Sequence, residues 1–160
     1  SLQFNASLTY ISSKYSEYLV DLGQTDTSKV GQTLNYKDNK MAGVPDMYYN
    51  VSLRYVAKDF HGLFAEISAL GVGKYFADDA NKYEVPSYNI INMSFGMEEY
   101  FRINSYTGIR LYLNLNNLTD EKYAASSFIN PSMDKATKQA MYLESGLPRN
   151  LSLGISLKFD

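Results

Sequence analysis

Apolar and polar residues alternate strictly along RNLSLGISLKFD, which spans residues 149–160. Five apolar side chains occupy every second position, namely Leu151, Leu153, Ile155, Leu157 and Phe159. The positions between them carry polar or small residues. Alternation with a period of 2 predicts a β-strand whose two faces meet environments of opposite polarity.

Further stretches of this kind predict an all-β protein. Six strands are predicted, over residues 2–10, 47–57, 63–75, 88–97, 109–117 and 150–159. The pattern of the first strand allows an extension to Tyr18. In the third and least regular strand, Gly71 and Gly73 predict a bulge or a change of face. Strands in this succession favour an antiparallel up-and-down meander.

The connections between these strands alternate in length. Long or medium connections cover residues 19–46, 76–87 and 119–148, and short ones cover 58–62 and 98–108. All the longer connections therefore fall at one end of the meander. Outer-membrane barrels have short periplasmic turns and long extracellular loops, whereas a soluble sandwich has no reason for this asymmetry.

The tripeptide Asn-x-Ser recurs inside four of the predicted strands. It begins at Asn5, Asn50, Asn92 and Asn150. We interpret Asn and Ser as the lining of a wet face, with the residue between them turned toward an apolar medium. The related tripeptide Asn117-Leu-Thr119 lies at a strand end and is not expected to share this geometry.

Aromatic residues concentrate near the predicted strand ends. The chain has 15 Tyr, 8 Phe and no Trp. The aromatic residues near the long connections are Tyr48, Tyr49, Tyr75, Phe76, Tyr88 and Tyr123, and those near the short turns are Tyr55, Phe60, Tyr100, Phe101 and Phe159. Two aromatic girdles of a membrane barrel have this distribution. A soluble sheet with aromatic cross-strand pairs is the alternative.

If the strands cross a membrane, the basic residues within them face water or a plug. Arg54, Arg110 and Lys158 all lie on the polar side of the alternation. A basic residue in the lipid at mid-depth would cost roughly 2 to 4 kcal/mol. The pattern therefore predicts one lipid-facing side and one lumenal side.

Composition argues against several function classes. A net charge of -2 gives no polybasic surface for nucleic acid. The absence of Cys and the presence of one His, His61, disfavour thiolate or imidazole metal sites and a Ser-His triad. The GVGK at residues 71–74 lacks the spacing and the Ser or Thr of a phosphate loop. We therefore expect no enzyme, no resident metal and no cofactor.

Two loop features invite interpretation. Asp78 and Asp79 lie beside Asn81 and form either a weak calcium site or, as we expect, a solvated turn. In the last long connection, Ser132 is a suitable N-cap and Gly146 a suitable end for a short helix. That helix would either cover a pore or, as we favour, pack on neighbouring loops.

Four segments resemble a known family. LNLNNLTDEKYAASSF and SGLPRNLSLGISLKF resemble the penultimate and final strands of TonB-dependent outer-membrane receptors. MAGVPDMYYNVSLRY and VPSYNIINMSFGMEEY resemble earlier strands of these receptors. The resemblance implies a plugged transmembrane barrel of about 22 strands. Residues 1–160 would be the C-terminal portion of that barrel, without the plug domain and the earlier strands.

The resemblance implies a function and partners. The intact receptor would take up a ferric siderophore, haem or a similar nutrient across the outer membrane of a Gram-negative bacterium. Its partners would be outer-membrane lipid, the plug and remaining strands, the barrel assembly machinery, and TonB through the absent N-terminal part. A self-contained small β-barrel or β-sheet protein that acts as an adhesin or binding module is the alternative.

The resemblance also assigns residues. Ser152, Gly154, Leu157 and Phe159 occupy the places of the C-terminal assembly signal of outer-membrane barrels, which usually stops at the aromatic residue, whereas Asp160 follows here. Ligand contacts are expected from the loops. By loop position and side-chain type, the candidates are Tyr36, Lys37, Met41, Met133 and Tyr142.

Overall fold

The computed structural model describes residues 1–24, 26–130 and 143–159. In chain order its strands are β1 (Leu2–Tyr10), β2 (Leu19–Asp21), β3 (Thr33–Asn35), β4 (Met47–Ala57), β5 (Leu63–Val72), β6 (Tyr75–Phe76), β7 (Glu84–Val85), β8 (Tyr88–Met97), β9 (Phe101–Asn104), β10 (Thr107–Asn116), β11 (Ala124–Ser127), β12 (Leu143–Ser145) and β13 (Asn150–Phe159). Two short 3-10 turns, Leu22–Gln24 and Thr27–Lys29, follow β2. No helix among the described residues has the length and apolarity needed to cross a bilayer.

The six long strands form one antiparallel sheet in the order β1-β4-β5-β8-β10-β13. This order is a meander, which confirms the predicted fold class. Strand β1 ends at Tyr10 and does not continue to Tyr18, and β5 ends at Val72. Three connections are long and lie at one end of the sheet: loop 1 (residues 11–46), loop 2 (residues 73–87) and loop 3 (residues 117–149).

Strand β9 lies inside what the pattern predicts as a short turn. Near this end of the sheet, β10 pairs with β9 instead of β8, with Ile109 opposite Phe101. The residues between β8 and β9 are held by the turn between β4 and β5. The amides of Glu98 and Glu99 donate to the carbonyls of Gly62 (3.0 Å) and His61 (3.2 Å) in that turn. Four residues of strand are too short a stretch for alternation to be detected.

The register keeps the two predicted faces separate across the whole sheet. Phe4 lies opposite Leu53, and Leu53 lies opposite Ile67. On the other face Asn5 lies opposite Ser52, which lies opposite Ser68. Arg54, Arg110 and Lys158 all share this polar face with the Asn and Ser residues.

Among the residues that the structure describes, none covers the apolar face of the sheet. Leu8 is 70% exposed and Leu153 is 66% exposed. Moreover, β1 and β13 each pair on one side only within the described sheet. Unpaired strand edges invite association with further strands, so this sheet has the form of a barrel wall.

A cluster of buried residues lies in the long loops, and within the sheet Val56 of β4 and Ile90 of β8 are also buried. Tyr75, Ala77 and Val85 form a buried cluster, and Tyr83 and Ala124 pack against it. Three hairpins, β2-β3, β6-β7 and β11-β12, give the loops their own backbone hydrogen bonds. The described parts of the loops therefore form a hydrogen-bonded layer at one end of the wall.

The predicted loop helix is wrong at its C-terminal end. Leu143–Ser145 is strand β12 and pairs with β11, so no helix continues to Gly146. Its expected N-cap, Ser132, lies outside the described residues. An added Cβ on Gly146 would lie 2.1 Å from Cζ of Tyr123. Only glycine therefore allows the ring of Tyr123 to lie against the backbone at this position.

Gly71 and Gly73 do not produce a bulge or a change of face within β5. The pairing of β4 with β5 is regular, with Tyr49 opposite Gly71. An added Cβ on Gly71 would lie 1.9 Å from Cε1 of Tyr49, and one on Gly73 would lie 2.2 Å from Oδ1 of Asp46. Close approach of neighbouring groups explains both glycines.

Candidate ligand site beneath the long loops

A buried carboxylate joins the three long loops. Asp79 of loop 2 is only 5% exposed. Its carboxylate accepts hydrogen bonds from the hydroxyls of Tyr15 and Tyr18 of loop 1 and from the amide Nδ2 of Asn130 of loop 3 at 2.8 Å. The amide of Asn39 donates to the carbonyl oxygen of Asp79 at 2.8 Å. We call these five residues the Asp79 junction.

Both phenols of this junction are held in the neutral form. Burial and the hydrogen bond to Asp79 raise the pKa of Tyr15. The negative charge of Asp79 is the main cause of the raised pKa of Tyr18. A phenol that donates to a carboxylate resists ionisation, because the phenolate would lose the bond and repel the carboxylate.

This coupling predicts an alkaline opening of the loops. Since folding raises the pKa of Tyr15, its stabilising effect is complete below the ordinary value of about 10 and is lost as the pH rises through the raised pKa. Spin labels at the exposed positions Lys37 and Lys82 should show a sharp distance distribution at pH 8 that broadens above pH 10. Tyr15→Phe should broaden it already at pH 8, whereas Tyr106→Phe, at the opposite end of the sheet, should not. An unchanged distribution in Tyr15→Phe would contradict this role.

Asp78 and Asp79 do not form the expected solvated turn. Asp78 is only 6% exposed, and its Oδ1 accepts from the amides of Lys82 (2.9 Å) and Tyr83 (2.8 Å). Asn81 bonds to the backbone of Lys40, which joins loop 2 to loop 1 again. The described residues contain no group of His, Cys, Asp or Glu that could hold a metal ion. The acidic pair therefore organises the loops.

Asn117 fixes the base of loop 3. It is 2% exposed and has a φ of 52°, a left-handed conformation that Asn tolerates well. Its Nδ2 donates to the carbonyls of Glu121 (2.9 Å) and Leu147 (3.0 Å), and its Oδ1 accepts from the amide of Glu121 (2.8 Å). Nearby, Oδ1 of Asp120 accepts from the amide of Arg149 at 2.9 Å.

A tyrosine-lined hollow lies on the polar face directly beneath the long loops. Tyr48, Tyr75 and Tyr88 line it, together with Val72 and Ile129. Its volume is about 240 Å³. Tyr48 and Tyr88 both lie opposite Val72 on the lumenal side of the sheet, and Tyr75 belongs to the loop core. These tyrosines were expected in the outer aromatic girdle, and that interpretation is wrong for all three.

A second hollow adjoins the first. The rings of Tyr88 and Tyr123 stack with centroids 4.3 Å apart, and both rings line the second hollow. Glu121, Lys122 and Glu144 supply its charged groups. The hydroxyl of Ser126 donates to Oε2 of Glu144 at 2.7 Å and so orients that carboxylate. We call the two spaces together the tyrosine hollows.

At the short-turn end, the polar face carries a separate charged cluster. The guanidinium of Arg54 bonds to Glu66 and to Glu98, each at 3.0 Å, and lies 3.7 Å from the ring centre of Phe64. These groups also line a hollow together with Arg110. Arg110 lies 5.0 Å from the ring centre of Tyr100, so both arginines have acidic or aromatic partners on the polar face, as their predicted facing requires.

Of the predicted ligand-binding residues that the structure describes, Tyr36 contacts the Asp79 junction, and none of Tyr36, Lys37 and Met41 lines the tyrosine hollows. Tyr36 is half-buried and packs edge-on against Tyr18, with ring centres 5.6 Å apart. Lys37 is exposed, and Met41 is 40% exposed. Met133 and Tyr142 lie outside the described residues. Roles for all five in ligand binding remain predictions.

The predicted assembly residues divide between the two faces of β13. Ser152 and Gly154 lie opposite Asn114 and Tyr112 on the polar face. Leu157 and Phe159 lie on the apolar face, and Phe159 is 73% exposed. Asp160 lies outside the described residues. A role in assembly remains a prediction, although Gly154 also has a packing reason, since an added Cβ would lie 1.9 Å from Cζ of Tyr112.

Comparison with known proteins places this architecture in a family. The family model described as TonB dependent receptor-like, beta-barrel matches residues 1–118, well over half of the chain. The chain belongs to the TonB-dependent receptor-like β-barrel family. This is a family of receptors and transporters.

Two relatives extend the comparison of this TonB-dependent receptor barrel. A ferrioxamine receptor of Yersinia enterocolitica is 39% identical over 57 residues, which are 36% of this chain and 8% of that protein. The crystal structure of the siderophore receptor PiuA from Acinetobacter baumannii matches with a TM-score of 0.68 and 20% identity, over 99% of this chain and 20% of that one. The second likeness concerns the fold. This chain therefore spans a minor part of these proteins, with matches that cover 8% and 20% of their length.

The sequence motifs that resemble the TonB-dependent receptor family make hydrogen bonds that hold the barrel and its loops together. Asn117 and Asp120 of NNLTD hold the base of loop 3, and Asn150 of LPRN accepts from the side-chain amide of Asn116 at 2.9 Å. The tyrosine hollows were missed by sequence reasoning. The sequence did contain a sign of them. Tyr48 and Tyr88 lie an even number of positions from the polar residues of their strands, so both belong to the polar face.

Proposed function

We propose that this chain is the C-terminal barrel segment of a TonB-dependent outer-membrane transporter of a ferric siderophore. The tyrosine hollows carry the proposal, because they place aromatic rings and hydroxyls on the lumenal face directly under the long loops. Rigid amphipathic rings supply apolar contact area together with hydrogen-bonding hydroxyls. The names of the ferrioxamine receptor and of the siderophore receptor PiuA support this cargo above haem.

The intact transporter would surround a plug with additional strands. In this proposal β1 and β13 pair with those strands, the apolar face contacts lipid of a Gram-negative outer membrane, and the charged cluster around Arg54 faces the plug. TonB would act through the N-terminal part of the protein, and the assembly machinery would recognise β13. The transporter binds and releases cargo without covalent chemistry.

Loss of the hollow's rings should weaken transport. In the full-length receptor, Tyr48→Ala and Tyr88→Ala should each raise the half-saturating concentration for uptake of radioactive ferric siderophore about tenfold, since a buried aromatic anchor contributes about 1 to 2 kcal/mol to binding. Uptake by iron-starved cells measures the effect. Tyr55→Ala, on the apolar face, is the matched control and should leave uptake unchanged.

Folding must be separated from binding in this test. Receptor abundance in outer membranes and the gel shift of the folded barrel on heating report on assembly. Tyr88→Phe keeps the ring that stacks on Tyr123 and should retain most of the uptake. Normal uptake by well-folded Tyr48→Ala and Tyr88→Ala receptors would overturn the proposed site.

The size of the native protein separates this proposal from a self-contained β-sheet adhesin or binding module. An antibody against the segment should detect a band several times larger than 18.1 kDa in outer-membrane fractions. A band near 18.1 kDa would instead favour the small independent protein.

A further inference from the structure

The first tyrosine hollow is covered by three short loop segments that contact one another. The amide of Gly43 donates to the carbonyl of Phe76 at 2.7 Å, and the amide of Asn130 donates to the carbonyl of Ala77 at 2.8 Å. An added Cβ on Gly43 would lie 2.6 Å from Cδ1 of Ile129, so loops 1 and 3 also meet here. Both Gly43 and Ile129 line the hollow. We call the three segments, residues 39–45, 75–81 and 126–130, the gate.

The Asp79 junction fastens this gate beside the hollow. Asn130 directly follows Ile129 and shares two hydrogen bonds with Asp79. Its Nδ2 donates to the carboxylate at 2.8 Å, and its Oδ1 accepts from the amide of Asp79 at 3.0 Å. The same carboxylate accepts from the hydroxyls of Tyr15 and Tyr18 in loop 1. Loss of this one acceptor would therefore loosen the gate at all three loops together.

A buried hydroxyl opposes the closed arrangement. Oγ of Ser127 is buried and has no hydrogen-bond partner among the residues that the structure describes. Ser127 also lines the first hollow. A buried polar group without a partner costs free energy, because it has lost its hydrogen bonds to water and gained none within the protein. Movement of residues 126–130 away from the sheet would return water to this hydroxyl.

We infer, on the basis of the proposed function, that the gate closes the first hollow in the empty receptor and opens as one unit when the Asp79 junction breaks. Cargo enters the hollow only in the open state. The hydrogen bonds of Asp79 favour the closed state, and the unpaired hydroxyl of Ser127 favours the open one. The apparent affinity for cargo is then reduced in proportion to the fraction of open receptor.

Labelling of a cysteine inside the hollow measures the gate without any cargo. Val72 lines the first hollow from the sheet, and this chain has no Cys of its own. Cells that display full-length receptor with Val72→Cys are treated with a small, membrane-impermeant methanethiosulfonate. Receptor without this substitution gives the background. Asp79→Asn should speed the labelling about tenfold, whereas Ser127→Ala should slow it about fivefold because it removes the unpaired hydroxyl.

Two further variants keep this test decisive. Lys37→Cys, at an exposed position of loop 1, should be labelled at the same rate in every background. Tyr15→Phe removes one donor to Asp79 and should speed the labelling of Val72→Cys less than Asp79→Asn does, and it replaces Asp79→Asn if that variant does not reach the outer membrane. General loosening of the fold would not make Ser127→Ala slower. Equal labelling in all backgrounds, or faster labelling in Ser127→Ala, overturns the gate.

Cargo binding separates the gate from the proposed function. The probes are ferric siderophores of the hydroxamate, catecholate and carboxylate kinds, and quenching of intrinsic fluorescence follows their association with purified full-length receptor. For a probe that binds, Asp79→Asn should speed association and Ser127→Ala should slow it. Unchanged association rates in both variants would overturn the gate while the siderophore proposal stands. If labelling follows the gate but the folded receptor binds no probe, the siderophore proposal fails and the gate stands.

Discussion

Replacing Asn117 by leucine is expected to destabilise the folded barrel by about 3 to 5 kcal/mol. The variant loses all three side-chain hydrogen bonds and leaves the carbonyls of Glu121 and Leu147 without this donor. It also places a bulky residue at a φ of 52°, where a side chain without a local hydrogen bond is strained. Urea unfolding of the full-length receptor in detergent, followed by intrinsic fluorescence or by gel shift, measures the loss.

Two further variants separate the causes. Asn117→Gly keeps the left-handed backbone and removes only the side-chain bonds, so it should lose less stability than leucine does. Asn114→Ala alters the same residue type in the neighbouring strand β10 but removes only a 3.4 Å bond to Ser152, and it should cost less than about 1 kcal/mol. A loss in Asn117→Leu no greater than in Asn114→Ala would show that loop 3 holds its base by other means.

The sheet was predictable because its information is local. In β13 one residue in two is apolar over all ten positions, β4 and β8 alternate over most of their length, and the predicted bounds of all three strands agree with the structure. The same alternation determines which face of the sheet each residue occupies, so the position of Arg54 and Arg110 on the polar face was predicted as well. Where alternation covers only four residues, as in β9, the pattern carries too little information.

The loop layer was not predictable because its contacts join distant parts of the chain. Asp79 bonds to Tyr18 across 61 positions and to Asn130 across 51. Nothing in the local sequence distinguishes such a buried carboxylate from a solvated one. Hairpin β6-β7 has only two residues in each strand, so it leaves no periodic trace. The tyrosines of the hollow were assigned to an aromatic girdle from their nearness to strand ends, without regard to the face of the sheet on which each lies.

Glycines and aromatic residues alternate across the lumenal face of the sheet. Phe64 of β5 lies opposite Gly96 of β8, which lies opposite Tyr112 of β10, which lies opposite Gly154 of β13. Each ring covers the backbone of a neighbouring glycine: an added Cβ would meet Phe64 at 2.8 Å from Gly96 and Tyr112 at 1.9 Å from Gly154. Large and small residues thus interlock four strands at one level of the wall.

Gly154→Val is therefore expected to displace the ring of Tyr112 and to destabilise the receptor by about 3 kcal/mol, as overpacking does. Gly154 also occupies a place in the predicted assembly signal, so the same variant should reduce outer-membrane receptor in cells. Refolding of purified receptor into detergent, followed by the gel shift on heating, measures stability apart from the assembly machinery. Ser152→Val, two positions away on the same face, is the matched control for refolding, because Ser152 lies opposite Asn114 instead of an aromatic ring.

The double variant Tyr112→Ala, Gly154→Val decides between the two roles of Gly154. If the glycine serves only the ring, removing the ring should restore both refolding and cellular assembly. If the assembly machinery recognises glycine itself, refolding recovers while the receptor stays absent from outer membranes. Normal refolding of the single variant Gly154→Val would show that Tyr112 moves aside without cost, and the interlocking of the four strands would then contribute little to the stability of this wall.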